Sequence, residues 1–362
     1  MNSQNPSIDA RDFWTESRKM PAIDVRTPGE FDAGHIPGAI NVPLFTDDER
    51  ATVGTLYANQ GHDAAVMEGL SIVGPKMSAL AQKAQEVVAE RQSDCSNVLV
   101  HCWRGGMRSQ SMAWLMGVAG LKPRVLEGGY KSFRNLAQGF INRRWNLHVV
   151  SGLTGAGKTR ILTALHQAGE QTCDLEALAN HRGSAYGGIA QGDQPSTEQF
   201  ENDLFACLDG LDPERRIWVE DEGNRIGRVV VPQTFYDQVR HAPAVFLDVD
   251  VERRVDNLMG DYQQLPVEGL VEATQKIRKR LGGQKTDHAL AAIEAGDLQA
   301  AVETTLSYYD RTYTKAANKM PRAIMESLVT NGLNDDQIVD ECLKLAETFE
   351  LPAEIPAEGS RL

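Results

Sequence analysis

The chain is punctuated in one recurring way. Short apolar runs rich in Val, Ile and Leu lead into Gly-rich loops, and each loop opens a stretch whose apolar residues recur three or four positions apart. The clearest cases are "VLVHCWRGGMRSQSMAWLMGVAG" from Val98 and "LHVVSGLTGAGKTRILTALHQAG" from Leu147. Such a pattern reads as strand, loop and amphipathic helix. In the first half "AIDVR", "AINVP", "VLVHC" and "RVLEGG" read as strands, with helices between them that include a long one over 74–91. In the second half "HVVSG", "QTCDLE", "RIWVED" and "AVFLDVD" read as strands, each followed by a helix, and the chain is largely helical from Val251 onward. Strands separated by helices predict the α/β class with mostly parallel sheets.

Two such units predict two α/β domains, joined within "RNLAQGFINRRWN". The expected division is 1–138, 139–350 and a loose tail over 351–362. The 362 residues suffice for two cores, and 41% hydrophobic with 24% charged residues is ordinary for a soluble protein. No apolar run is long enough to span a bilayer, and the first residues lack a basic start followed by an apolar core. The five cysteines are scattered without a C-x-x-C, which argues against a disulfide framework or a zinc site. These features predict a cytoplasmic protein with no membrane association.

A net charge of −13 is the opposite of a typical nucleic-acid-binding domain. Any RNA contact must therefore come from a local patch. The candidate is "KIRKRLGGQK", with Lys276, Arg278, Lys279, Arg280 and Lys285, together with Arg143 and Arg144 at the domain junction. A solvated helix face accounts for the same run equally well.

Two loops carry chemistry. In the first, Cys102 ends an apolar run and is followed by Arg104, two glycines and Arg108. A loop closing between a strand and a helix N-terminus turns its N–H groups inward and forms an anion nest. A cysteine on its rim would be held as a thiolate, with Arg104 and Arg108 adding positive charge. The bland alternative is a buried, inert strand-end cysteine. The second loop, "GLTGAGKT", matches G-x-x-x-x-G-K-[ST] in full through Gly152, Gly157, Lys158 and Thr159, with Gly155 inside it. Its N–H groups and Lys158 would cradle a diphosphate, and Thr159 would hold Mg²⁺. An acid at the end of another strand should share that ion. "RIWVEDE" offers Glu220, Asp221 and Glu222, and "AVFLDVD" offers Asp248 and Asp250; Asp221 is preferred. Taken alone, this half reads as a nucleotide kinase.

The spacing H-C-x(5)-R matches the protein tyrosine phosphatase signature, so phosphatase and sulfur-transfer chemistry compete. "IDVRTPGEFDAGHIPGAINVP" and "LEGGYKSF" resemble the opening and closing signatures of the rhodanese family. That resemblance implies an N-terminal rhodanese-like domain in which Asp24 and Arg26 help build the pocket around Cys102. A local ion pair is the other reading of those two residues. The loop is one residue longer than in a usual sulfurtransferase, which implies room for a tetrahedral phosphorus compound.

A rhodanese-like domain fused to a P-loop domain with a helical C-terminal part resembles the bacterial tRNA 2-selenouridine synthases over nearly the whole chain. "DERATVGTLYANQG", "HCWRGGMRSQ", "LEGGYKSFR", "GLTGAGKT", "DLEALANHRGSAYG" and "WVEDEGNRIG" carry the likeness. It implies a transferase that replaces the 2-thio sulfur of a wobble 2-thiouridine in tRNA with selenium from selenophosphate, through S-geranylation by geranyl diphosphate. Cys102 would attack selenophosphate at selenium. The P-loop would hold the diphosphate, with Mg²⁺ as a candidate ion and no ATP requirement. Asp174, Glu176, His181 and Arg182 would belong to that second site, with an N-cap acid and a surface loop as the bland reading. The selenophosphate-producing enzyme is an implied partner. The family often carries a second cysteine just before the catalytic one; here His101 stands there, and Cys95 is a candidate substitute. The alternatives are a rhodanese-fold phosphatase or sulfurtransferase with an accessory P-loop kinase-like domain, and an inactive rhodanese serving as a docking module.

Overall fold

A computed structural model describes residues 5–91, 96–182, 186, 188–189, 192–317, 322 and 324–349, with the side chains of 312–317 excepted. The chain divides into two compact units at 140/141, and residues 201–206 belong with the first.

The first unit holds strands β1 (Ser7–Ile8), β2 (Ala22–Asp24), β3 (Ile40–Asn41), β4 (Asn97–His101) and β5 (Lys122–Leu126) in the order β1-β5-β4-β2-β3. Every pair is parallel. The four expected strands are all present. Central β4 is buried on both faces, which is why its sequence reads as a continuous apolar run and not as an alternation. The helix Met107–Val118 packs Met112, Ala113 and Met116 onto Val98 and Val100, and Met77–Glu90 adds Ala84 and Val87. Edge strand β1 was not foreseen, because two residues carry no period.

The second unit holds β6 (Leu147–Gly152), β7 (Gln171–Cys173), β8 (Ile217–Glu220), β9 (Arg225–Ile226), β10 (Val229–Val230), β11 (Ala244–Asp248) and β12 (Met325–Val329). Its five-stranded sheet runs β12-β11-β6-β8-β7, all parallel, while β9 and β10 form a separate antiparallel pair. Val150, Ile161, Leu162, Trp218, Val245, Leu247, Ile338 and Val339 fill the core. The stretch after Val251 is helical as expected, apart from β12. That strand buries Leu328 alone, so its sequence shows neither alternation nor an apolar run. Among the described residues no helix is long and apolar enough to cross a membrane.

Candidate active sites

Cys102 follows β4 directly, buried, with its Sγ 3.2 Å from the Ser109 Oγ. The loop curls through Gly105, whose φ of +69° belongs to the left-handed region, and Gly106 caps the helix Met107–Val118. The turn after β5 lies against this loop backbone to backbone. Tyr130 N donates to the Cys102 carbonyl at 2.8 Å and Lys131 N to the Trp103 carbonyl at 3.1 Å. A Cβ on Gly129 would stand 2.4 Å from Gly105 N, so the "LEGGY" signature is a close-approach requirement. Arg108 pairs with Glu30 at 2.6 Å and is half-buried. Burial opposes its charge, but the Glu30 carboxylate and the negative potential of Cys102 and Asp24 hold its pKa above the ordinary value. Arg104 is exposed and has no ion pair among the described residues. Ser109 is a residue the sequence reading passed over; its one signal was a hydroxyl immediately after Arg108.

Beneath the loop, Asp24 and Arg26 are fully buried and bonded to each other, with Arg26 Nη2 to Asp24 Oδ2 at 2.7 Å and Nε to the same oxygen at 2.9 Å. The Arg26 guanidinium lies 3.8 Å from the Tyr130 ring centroid and 5.8 Å from that of Trp103. Burial raises the Asp24 pKa, but His101 and the Arg26 guanidinium outweigh it and the net shift is down. His101, also fully buried, has its Nε2 3.7 Å from Asp24 Oδ2. Burial is the main cause that pushes its pKa down.

In the second unit the loop after β6 runs into the helix Lys158–Gln167, with Gly157 capping it at φ +82°. Gly155 also has φ +82°, and a Cβ there would stand 2.8 Å from the Arg254 carbonyl. The helix Val251–Tyr262 braces the loop: Arg254 Nε donates to the Thr154 carbonyl at 3.0 Å and Asn257 Nδ2 to that of Gly155 at 2.8 Å. Thr159 Oγ1 donates to Glu176 Oε2 at 3.0 Å, and Lys158 Nζ lies 3.9 Å from Glu222 Oε1. Glu176 and Glu222 lie close enough to shift each other's ionisation. Burial pushes the Glu222 carboxyl up to about 8 against the pull of Lys158, and burial likewise raises Glu176.

Asp221 accepts from Ser151 Oγ at 2.6 Å and pairs with Arg322 at 3.1 Å, both buried. The carboxylates that meet the loop's own side chains are thus Glu176 and Glu222. Asp174 caps the helix Leu175–Leu178 by accepting from Ala177 N at 2.7 Å. Arg182 pairs with Asp261 at 3.0 Å on the surface. Burial lowers the His181 pKa.

Residues 145–335 match the family model described as tRNA 2-selenouridine synthase AAA domain, and residues 9–136 match the rhodanese-like domain. Relatives named tRNA 2-selenouridine synthase include the following three. One from Bdellovibrio bacteriovorus is 40% identical over 253 residues, covering 68% of this chain and 65% of that protein. One from Shewanella sediminis is 34% identical over 333 residues, covering 83% and 88%. One from Ectopseudomonas mendocina is 35% identical over 343 residues, covering 84% and 88%. The chain belongs to the tRNA 2-selenouridine synthase family. It is therefore an enzyme built from a rhodanese-like and a P-loop-like domain.

Within the second unit, the basic stretch is partly neutralised. Lys276 pairs with Glu272 at 2.8 Å and Arg278 with Asp287 at 2.7 Å. Lys285 donates to Ser307 Oγ at 2.8 Å. Lys279 and Arg280 are exposed, as are Arg143 and Arg144. Cys95 lies outside the described residues.

Proposed function

We propose that the chain is a tRNA-modifying transferase that replaces the 2-thio sulfur of a wobble 2-thiouridine with selenium in two steps, one for each loop. The observation that carries this reading is the pair of anion cradles of different chemistry in one chain. One presents a sulfur nucleophile with Ser109 and Arg108; the other presents Lys158 and Thr159 and no nucleophilic thiol.

In the first step the P-loop holds the diphosphate of geranyl diphosphate. The thiocarbonyl sulfur attacks C1 of the geranyl group, the S–C bond forms, and the C–O bond breaks with its electron pair leaving on diphosphate. Loop N–H groups and Lys158 match that developing charge, so no ATP is needed. The oxygens of Thr159 and Glu176 fit Mg²⁺, which prefers one or two protein oxygens together with phosphates. When bound there, the ion would neutralise diphosphate oxygens as the bond breaks.

In the second step the Cys102 loop holds selenophosphate. Attack of sulfur at selenium with release of phosphate would require an oxidant, because selenium in that compound is already at the selenide level. Attack at phosphorus balances: an S–P bond forms, the P–Se bond breaks, and selenide leaves with the electron pair. Water then frees phosphate from Cys102. Selenide adds at C2 of the geranylated base and the geranyl thiolate departs. Nucleoside analysis of tRNA from cells with and without the gene tests the reading. Loss of 2-selenouridine and S-geranyl-2-thiouridine is the expected result, and unchanged tRNA would refute it.

A further inference from the structure

Trp103 follows Cys102 directly, yet its side chain is 37% exposed. It is not a loose surface residue. Its ring packs on buried Tyr130 at 5.7 Å, tilted 49°, and the fully buried Arg26 guanidinium lies 5.8 Å below it. The Trp103 carbonyl is tied to Lys131 N. Asp24 and the Gly34 carbonyl take Nε and Nη2 of Arg26, Nη1 is buried without a hydrogen-bond partner, and the rings of Tyr130 and Trp103 lie within cation–π range of the guanidinium. The outer part of the indole is thus an exposed apolar face on the residue after Cys102, next in the chain to the exposed cation Arg104.

We propose that Trp103 is the stacking plate that holds the target nucleobase at the Cys102 loop, with Arg104 meeting the adjoining phosphate. The proposal rests on the two-step reading given under Proposed function and adds how the base is held. A base must leave its neighbours and present C2 to the loop, and an aromatic plate beside a cation is the chemistry that holds an unstacked nucleotide. Asp24 and Arg26 then act as positioning residues, fixing the plate from below.

The test uses the full chain and an anticodon stem-loop RNA carrying either 2-thiouridine or S-geranyl-2-thiouridine. Trp103→Ala should weaken binding of both RNAs about tenfold. Trp103→Phe, which keeps a stacking face, should restore most of it. Trp114→Ala is the control, since that indole is 57% exposed in the same unit but lies away from the thiol loop, on the helix Met107–Val118; it should change nothing. In the selenium step Trp103→Ala should raise KM far more than it lowers kcat, and geranylation of the 2-thiouridine RNA should retain its kcat. Weakening confined to the geranylated RNA would make Trp103 a seat for the prenyl chain and overturn the proposal. If the wild type forms 2-selenouridine and Trp103→Ala leaves binding and KM unchanged, stacking is refuted while the two-step reading stands. If the wild type forms none and Trp103→Ala still weakens RNA binding, the two-step reading falls and the plate stands. A wild type that binds neither RNA overturns both.

Discussion

Replacing Gly129 with Ala should cripple the thiol loop, and the cost can be worked from the backbone. Gly129 has φ +62°, and an added Cβ would lie 2.4 Å from Gly105 N, 2.5 Å from the Cys102 carbonyl oxygen and 2.7 Å from Arg104 N. None of these atoms belongs to a flexible side chain. The left-handed conformation costs an alanine about 1 to 2 kcal/mol. Relieving the clash means parting the two turns, and that breaks the Tyr130 to Cys102 and Lys131 to Trp103 hydrogen bonds. Each is worth about 1 kcal/mol, so the loss of stability should be about 3 to 4 kcal/mol. Two other glycines calibrate it. Gly120 has φ +86° with nothing within 4 Å of an added Cβ, so Gly120→Ala carries the conformational cost alone. Gly128 has φ +69° and meets Ser132 Cβ at 3.0 Å, so its variant should fall between the other two. Urea titration of the full-length variants gives the order through their midpoints. Selenium transfer should vanish in Gly129→Ala while geranyl transfer continues. A Gly129→Ala protein no less stable than Gly120→Ala would refute the close-approach argument.

Cys102→Ser should abolish 2-selenouridine and let geranylated tRNA accumulate, read by nucleoside mass spectrometry; equal loss of both in a folded variant would sink the division of labour. Lys158→Ala should abolish geranyl transfer, and ATP added to the wild type should at most compete with geranyl diphosphate in a turnover assay; a need for ATP in either step contradicts the diphosphate reading. Burial among Trp218 and Phe349 lowers the His148 pKa to about 4 from 6.5. The fold therefore binds fewer protons than the unfolded chain, so this contribution is present above pH 6.5 and is lost as pH falls towards 4. It amounts to about 3 kcal/mol. His148→Phe should flatten that acid-side loss in urea titrations, and an unchanged pH profile would contradict it. Replacing Lys279 and Arg280 with Gln should lower the salt dependence of tRNA binding more than replacing Lys276 and Arg278, which already face acids; equal effects would place the RNA contact elsewhere.

What the sequence shows and hides follows from the range of the interactions. The parallel strands are legible because burial on both faces writes an uninterrupted apolar run, as in β4 and in β6. Both Gly-rich loops are legible because their backbone geometry admits few residues. Which carboxylate lies nearest the P-loop lysine is not legible to the same degree. Glu220, Asp221 and Glu222 all stand at the end of β8, and nothing local ranks them. What separates them is distant contact: Arg322, far along the chain and outside any motif, engages Asp221, while Glu222 lies 3.9 Å from Lys158. The support of Trp103 by Arg26 is equally non-local, since β2 and β4 meet only through the sheet.

The acids around Lys158 raise a physical difficulty that the same geometry answers. Asp174, Glu176, Glu220 and Glu222 gather near the loop proposed to hold an anion, in a chain of net charge −13. Counted as charges, they would repel a diphosphate. They do not all carry charge. Burial lifts Glu220 well above the ordinary carboxyl range, with Asp174 and Glu176 adding to it, and Glu220 accepts from Glu176 N at 2.7 Å. Glu222, at about 8, keeps its proton near neutrality beside Glu176. Like charges crowded in a buried place give up ionisation before they give up the fold. If diphosphate is the ligand, as proposed, the loop would meet it with its N–H groups and Lys158 while burial keeps protons on Glu220 and Glu222. Glu176 and its neighbours would release protons if a divalent cation were held there by Thr159 and Glu176.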